Sequence, residues 1–105
     1  MGESEREFQQ AVLDLAGACG WWAYHTFDSR RSTPGFPDLV LAKVDRRLIV
    51  AELKTEKGRV SPAQREWLDL LAEIASDIDV CVWRPSDWPE IERKLQRAKH
   101  GRPRK

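Results

Sequence analysis

Residues 34–54 read PGFPDLVLAKVDRRLIVAELK. Two apolar runs, DLVLAKV at 38–44 and LIVAELKT at 48–55, flank the short polar link VDRRL. Each run has strand length and almost no helical periodicity. A link this short cannot make the crossover that parallel neighbours need, so the two strands pair antiparallel. The second run then poses a problem. Side chains two residues apart in a strand share a face, so Glu52 and Lys54 project together on the side of Leu48 and Val50. Burying either charge alone is expensive.

Asp38 offers a reason for the pair. Pro37 donates no backbone hydrogen bond and biases Phe36 toward extended geometry, and Gly35 allows a sharp approach. The segment therefore anchors Asp38 at the mouth of the first strand. A turn centred near Asp45 and Arg46 sets Asp38 opposite residues close to Glu52. Two carboxylates at such range repel unless one is protonated or a cation lies between them. A hydrated divalent cation such as Mg²⁺ takes one or two carboxylates and resolves the conflict. Lys54 reaches the same place. Two acids and a lysine around such an ion suit phosphodiester hydrolysis, with the ion polarising a phosphoryl oxygen and activating water.

Outward from this hairpin, residues 4–18 carry a helical stripe of Phe8, Val12, Leu15 and Ala16. Ser4 is the expected N-cap, acids in the first turn favour the helix dipole, and Gly17 and Gly20 help to end the helix. WWAYHTF at 21–27 is strand-like, and DSRRSTPGFP is a polar loop. Ser61, Pro62 and Gln64 form a helix start with a capping box. That helix is expected to reach about Ala75 and to bury Trp67, Leu68, Leu71 and either Ile74 or Ala75. IDVCVWRP at 78–85 is a fourth strand, parallel to its neighbour through a right-handed crossover. Asp87 is expected to cap a last helix ending near Ala98. The order α-β-β-β-α-β-α fits an α/β fold, a mixed sheet flanked by helices.

With 105 residues the chain is expected to form one domain, residues 1–98, followed by a basic flexible tail at 99–105. The net charge of +1 excludes a strongly basic nucleic-acid binder of the bulk-charge type. Charge is nonetheless uneven, with eight Lys and Arg against three acids from Arg84 onward. Cys19 and Cys81 lack metal-site spacing and read as core thiols, which suits a reducing cytosol. No apolar run approaches a membrane span. The five tryptophans are expected mainly in the core, although one on an edge could stack on a base or build a dimer face.

Asp38 followed by Glu52-Leu53-Lys54 resembles the PD-(D/E)xK nuclease motif. More narrowly, GFPDLVL, AELKTEKGRVSPAQREWL and VCVWRPSDW resemble the VRR-NUC family in its stand-alone, phage-type form, over roughly Glu5 to Leu95. The resemblance implies a restriction-endonuclease-like αβββαβ core with an extra C-terminal helix. It implies a Mg²⁺- or Mn²⁺-dependent DNA endonuclease, related to Holliday-junction resolvases that act on branched DNA as homodimers. It implies Asp38, Glu52 and the Leu53 carbonyl as metal ligands, Lys54 as catalytic lysine and Gln64 beside the site. It also implies a helix glutamate holding the metal through water. Glu5 and Glu7 are both available. Glu5 shares the inward stripe, whereas Glu7 lies about 100° from Phe8, which favours Glu5. The expected location is the cytoplasm of a bacterial or phage-infected host cell.

Four further residues are candidates for DNA contact: His25, Arg30, Arg31 and Arg59. Each has a structural rival, a packed histidine or a solvated charged loop. The capping box alone accounts for Gln64. The contrasting function is a catalytically inactive nucleic-acid-binding or recruitment module that keeps the nuclease fold.

Overall fold

The computed structural model of the protein describes residues 4–26 and 33–96. The elements are α1 (Glu5–Ala18), β1 (Trp22–His25), β2 (Leu39–Ala42), β3 (Leu48–Leu53), α2 (Pro62–Ile74), β4 (Ile78–Trp83) and α3 (Trp88–Gln96), with a 3₁₀ turn at Pro85–Asp87 before α3. The sheet order is β1-β2-β3-β4. The first three strands form an antiparallel meander, and β4 joins β3 in parallel after α2. This is the mixed, helix-flanked sheet that the apolar runs and link lengths predict.

One sheet face carries the core. Leu39, Leu41, Ile49, Ala51, Leu53 and Trp83 meet Phe8, Val12 and Ala16 of α1 and Ile91 and Leu95 of α3. Trp21 joins them, and its indole N–H donates to the Leu95 carbonyl at 3.0 Å. The other face receives α2, which packs chiefly against β4. Val50 and Leu68 are buried there, outside the main cluster.

Local signals set the helix starts. Ser4 caps α1 in a reciprocal box with Glu7, and Ser61 caps α2 in a matching box with Gln64. Lys43 to Arg46 make the β2–β3 turn, closed by Arg46 N–H to the Lys43 carbonyl at 3.0 Å, with Asp45 at φ 67°. The central residues are therefore Val44 and Asp45, one position earlier than the spacing suggests. Aspartate tolerates the left-handed region better than most side chains.

Two expectations are corrected. The α2 stripe buries less than expected: Leu68 is buried, Trp67, Leu71 and Ala75 are half-buried, and Ile74 is 66% exposed. It lies about 120° around the helix from Leu68, and a helix resting mainly on an edge strand buries only a narrow stripe. Asp87 is not the N-cap of α3: its Oδ2 accepts from the Arg84 N–H at 2.9 Å. Cys19 and Cys81 are free thiols packed against the core rim, and burial pushes the Cys81 thiol up. Among the described residues no helix is long and apolar enough to cross a membrane.

Candidate active site

The register pairs Leu39 with Ala51, so one further step sets Asp38 across from Glu52. Both lie at the end of the sheet where α1 and α2 begin. Asp38 is held from two sides. Its carbonyl accepts from Thr26 N–H at 3.1 Å, and its Oδ2 accepts from Leu53 N–H at 2.9 Å. The aspartate side chain thus extends the β2–β3 ladder beyond the last strand residue. Within a strand, one residue's N–H and C=O point to the same neighbour. The Leu53 carbonyl therefore faces the Asp38 side.

The approach to Asp38 is built by Thr33-Pro34-Gly35-Phe36. Phe36 N–H donates to the Thr33 carbonyl at 3.3 Å, and Gly35 sits at φ +85°. Proline second and a left-handed glycine third define a type II turn. A Cβ on Gly35 would come within 2.5 Å of the Ala63 carbonyl group. The turn therefore rests directly on the first turn of α2, and Phe36 meets Trp67 edge-on with ring centroids 5.0 Å apart.

Glu52 is the buried charge of the described residues, 1% exposed. Lys54 Nζ lies 3.6 Å from Glu52 Oε2, and the lysine side chain is 12% exposed. Glu52 Oε1 has no hydrogen-bond partner. Burial, then the Asp38 carboxylate, push the Glu52 carboxyl up to about 8, partly offset by Lys54. Glu5 is also raised, by burial first and then by Asp38, again against Lys54. Glu5, Asp38, Glu52 and Lys54 thus share one electrostatic neighbourhood.

A divalent cation fits these residues. An oxygen buried without a partner is costly, and a cation beside Oε1 and the adjacent Asp38 removes both that cost and the carboxylate repulsion. Asp38 and Glu52 would hold it, with the Leu53 carbonyl on the same side. Among the described residues no three His, Cys, Asp or Glu side chains gather closely enough to cage an ion on their own. Glu5, Asp38 and Glu52 therefore do not close into a three-acid cage, and Glu5 stands on the cleft wall.

Beside Asp38 lies a cleft of about 560 Å³, lined by the first turns of α1, the end of β1, the 33–38 turn and Gln64; Glu52 and Lys54 are not in its lining. Glu5, His25, Asp38 and Gln64 all line it. Gln64 Oε1 accepts from Ser61 N–H at 2.8 Å, so the amide N–H₂ is what it can offer the cleft. The capping reading of Gln64 is correct, and it leaves a donor in place. Glu7 Oε1 accepts from Ser4 N–H in the α1 cap, and Glu7 does not line the cleft. Arg59 is exposed on the loop after Lys54 and does not line the cleft. Arg30, Arg31 and the 99–105 tail lie outside the described residues.

Sequence reasoning missed Arg6, Gln9, Gln10, Thr26 and Thr33 in the cleft wall. The polar positions beside the Phe8 stripe are the available signal: Glu5 and Gln9 are one turn apart on α1.

A VRR-NUC domain profile matches residues 1–85. The chain is similar to a Fanconi-associated nuclease 1 homolog of Arabidopsis thaliana, 30% identical over 90 residues, covering 79% of this chain and 10% of that protein. A Fanconi-associated nuclease 1 homolog of Schizosaccharomyces pombe is 35% identical over 57 residues, covering 53% and 8%. The chain thus spans about a tenth of the length of the curated relatives it matches. A solved VRR_NUC domain protein shares the fold, with a TM-score of 0.70 and 20% identity over 91% of each chain. With Asp38 on the cleft wall and the Glu52–Lys54 pair on the neighbouring strand, the chain belongs to the VRR-NUC family of nuclease domains.

Proposed function

We propose that the protein is a Mg²⁺- or Mn²⁺-dependent DNA endonuclease acting on branched DNA such as a Holliday junction. The observation that carries the reading is the convergence of Asp38, Glu52 and Lys54, with Glu52 Oε1 buried and unbonded. Clustered charge of this kind is a stability burden, and catalysis is what it suits. When bound, the ion would polarise a phosphoryl oxygen and lower the pKa of an attacking water.

The chain's residues do the rest. Asp38 and Glu52 supply the anionic oxygens, and the Leu53 carbonyl a neutral one. Lys54 orients the attacking water and offsets charge developing on the phosphate. The Gln64 amide donates to the water or to a phosphate oxygen, and Glu5 accepts from waters across the cleft. His25, Arg30, Arg31 and Arg59 contact the DNA backbone. Water oxygen bonds to phosphorus as the bond to the 3′ oxygen breaks and that oxygen takes a proton, leaving 5′-phosphate and 3′-hydroxyl ends.

Cutting opposed strands of a branched substrate calls for two sites, and a twofold homodimer supplies them. Trp22 and Tyr24 support this. They share one face of the edge strand β1 and are 82% and 62% exposed.

The test is cleavage of four-way junction, flap and linear duplex DNA with Mg²⁺, Mn²⁺ or EDTA. Metal-dependent cutting that prefers branched DNA is expected. Cutting in EDTA, or full activity of Lys54→Ala, overturns the mechanism. Binding without cutting under every condition makes the protein a recruitment module.

A further inference from the structure

Arg84 follows directly on β4, 30 residues beyond Lys54 in the chain and next to it in space. Its Nη1 donates to three backbone carbonyls: Thr55 at 2.6 Å, Gly58 at 2.7 Å and Glu56 at 3.2 Å. These are two short bonds and one longer, shared one. Three carbonyl dipoles pointing at one spot repel each other, and they need a cation with several donors between them.

The same loop is tied down on both sides of this contact. Lys54 N–H donates to the Trp83 carbonyl at 3.0 Å, and Gly58 N–H to the Thr55 carbonyl at 3.2 Å. Ser86 N–H donates to Glu56 Oε2 at 2.5 Å. Arg84 is itself held by Asp87, whose carboxylate accepts its backbone N–H. A Cβ on Gly58 would come within 2.9 Å of Thr55 Oγ1 and 3.5 Å of Lys54 Cδ. Gly58, in the loop that Arg84 gathers, therefore stands close to Lys54 Cδ.

We infer that Arg84 is a positioning residue for Lys54: it holds the 55–58 loop beside the lysine side chain and so aims the amine at Glu52. It acts without touching substrate or metal. This inference rests on the reading of Lys54 as the group that assists attack.

The experiment compares wild type with Arg84→Gln, Arg84→Lys, Gly58→Ala and Lys54→Ala in metal-dependent DNA cleavage. Arg84→Gln is expected to lower kcat by about tenfold to about 100-fold, because misplacing a catalytic group by an ångström has effects of that size. KM should hold, as should Mn²⁺ affinity by calorimetry, since Asp38 and Glu52 are untouched. Arg84→Lys should recover part of the loss, and Gly58→Ala should reproduce it by displacing the loop from its other side. In a Lys54→Ala background, Arg84→Gln should remove little more.

Raised KM with unchanged kcat would make Arg84 a DNA contact and overturn the inference. So would wild-type kcat in both Arg84→Gln and Gly58→Ala. If Arg84→Gln does not fold, Gly58→Ala and Arg84→Lys decide by the same kcat and KM criteria. Full activity in Lys54→Ala would instead strike the underlying mechanism, and is read separately.

Discussion

Asp38 Oδ2 accepts a hydrogen bond at 2.9 Å from the backbone N–H of Leu53, the residue between Glu52 and Lys54. One bond thus ties the proline-anchored acid to the strand that carries the other two charged groups. It also commits one Asp38 oxygen to structure.

Substitutions at Asp38 separate this structural duty from its charge. Asp38→Asn keeps an acceptor for the Leu53 N–H and removes the charge. Asp38→Ala leaves that N–H without its partner, at about 1–3 kcal/mol. Denaturant melts should show Asp38→Asn near wild type and Asp38→Ala destabilised by that amount. Cleavage and Mn²⁺ binding should be lost in both. A wild-type melt for Asp38→Ala would mean the bond does not support the fold.

Glu52 makes metal-free stability fall with rising pH. Its folded-state carboxyl is raised from 4.5 to about 8 by burial and by Asp38. The folded protein therefore holds that proton more tightly than the unfolded chain. Its contribution is fully present below 4.5 and is lost as pH rises through about 8. Melts of metal-free protein should show this decline, and Glu52→Gln should flatten it. A divalent ion bound at Glu52 would replace the proton. Mn²⁺ titrations at neutral pH in buffers of different ionisation enthalpy should report close to one proton released per site. No release would place the ion elsewhere.

Gly35 tests the seat of the turn. Alanine there meets the Ala63 carbonyl group at 2.5 Å and must hold φ +85°. Backbone strain of this kind is worth about 1–3 kcal/mol. Gly35→Ala should lose stability on that scale in denaturant melts. It should also lower kcat, because Asp38 follows the displaced turn.

Gln64 separates capping from function. Gln64→Glu preserves the acceptor for Ser61 N–H and replaces the amide donors facing the cleft with carboxylate oxygen. Its melt should stay near wild type while cleavage falls. Gln64→Ala should lose about 1 kcal/mol as well. Full cleavage by both variants would reduce Gln64 to a cap.

The exposed aromatic pair on β1 predicts the dimer face. Trp22→Glu, alone or with Tyr24→Lys, should lower the solution mass by light scattering and leave the fold intact by circular dichroism. Cleavage should shift from paired cuts to single nicks. An unchanged mass would move the interface elsewhere.

Some of this architecture is legible in the sequence. Length and apolar alternation mark the two strands at 38–55, and the link between them dictates their antiparallel pairing. That pairing alone brings Asp38 opposite Glu52, within one residue of where the turn was expected. The Ser61 and Gln64 capping box was equally plain, because both partners lie within four residues.

Local pattern determined the order and type of the elements, the caps and the facing acids, because these depend on periodicity and short connections within the chain. Tertiary structure decided the rest. Arg84 reaches the Thr55 carbonyl across 29 intervening steps of chain, and no periodicity announces such a contact. Docking of α1 placed Arg6, Gln9 and Gln10 in the cleft wall. The coverage of each sheet face chose Trp22, of five tryptophans, for exposure and left Glu52 Oε1 without a partner. Such outcomes depend on distances between elements far apart in sequence, and only packing sets those distances.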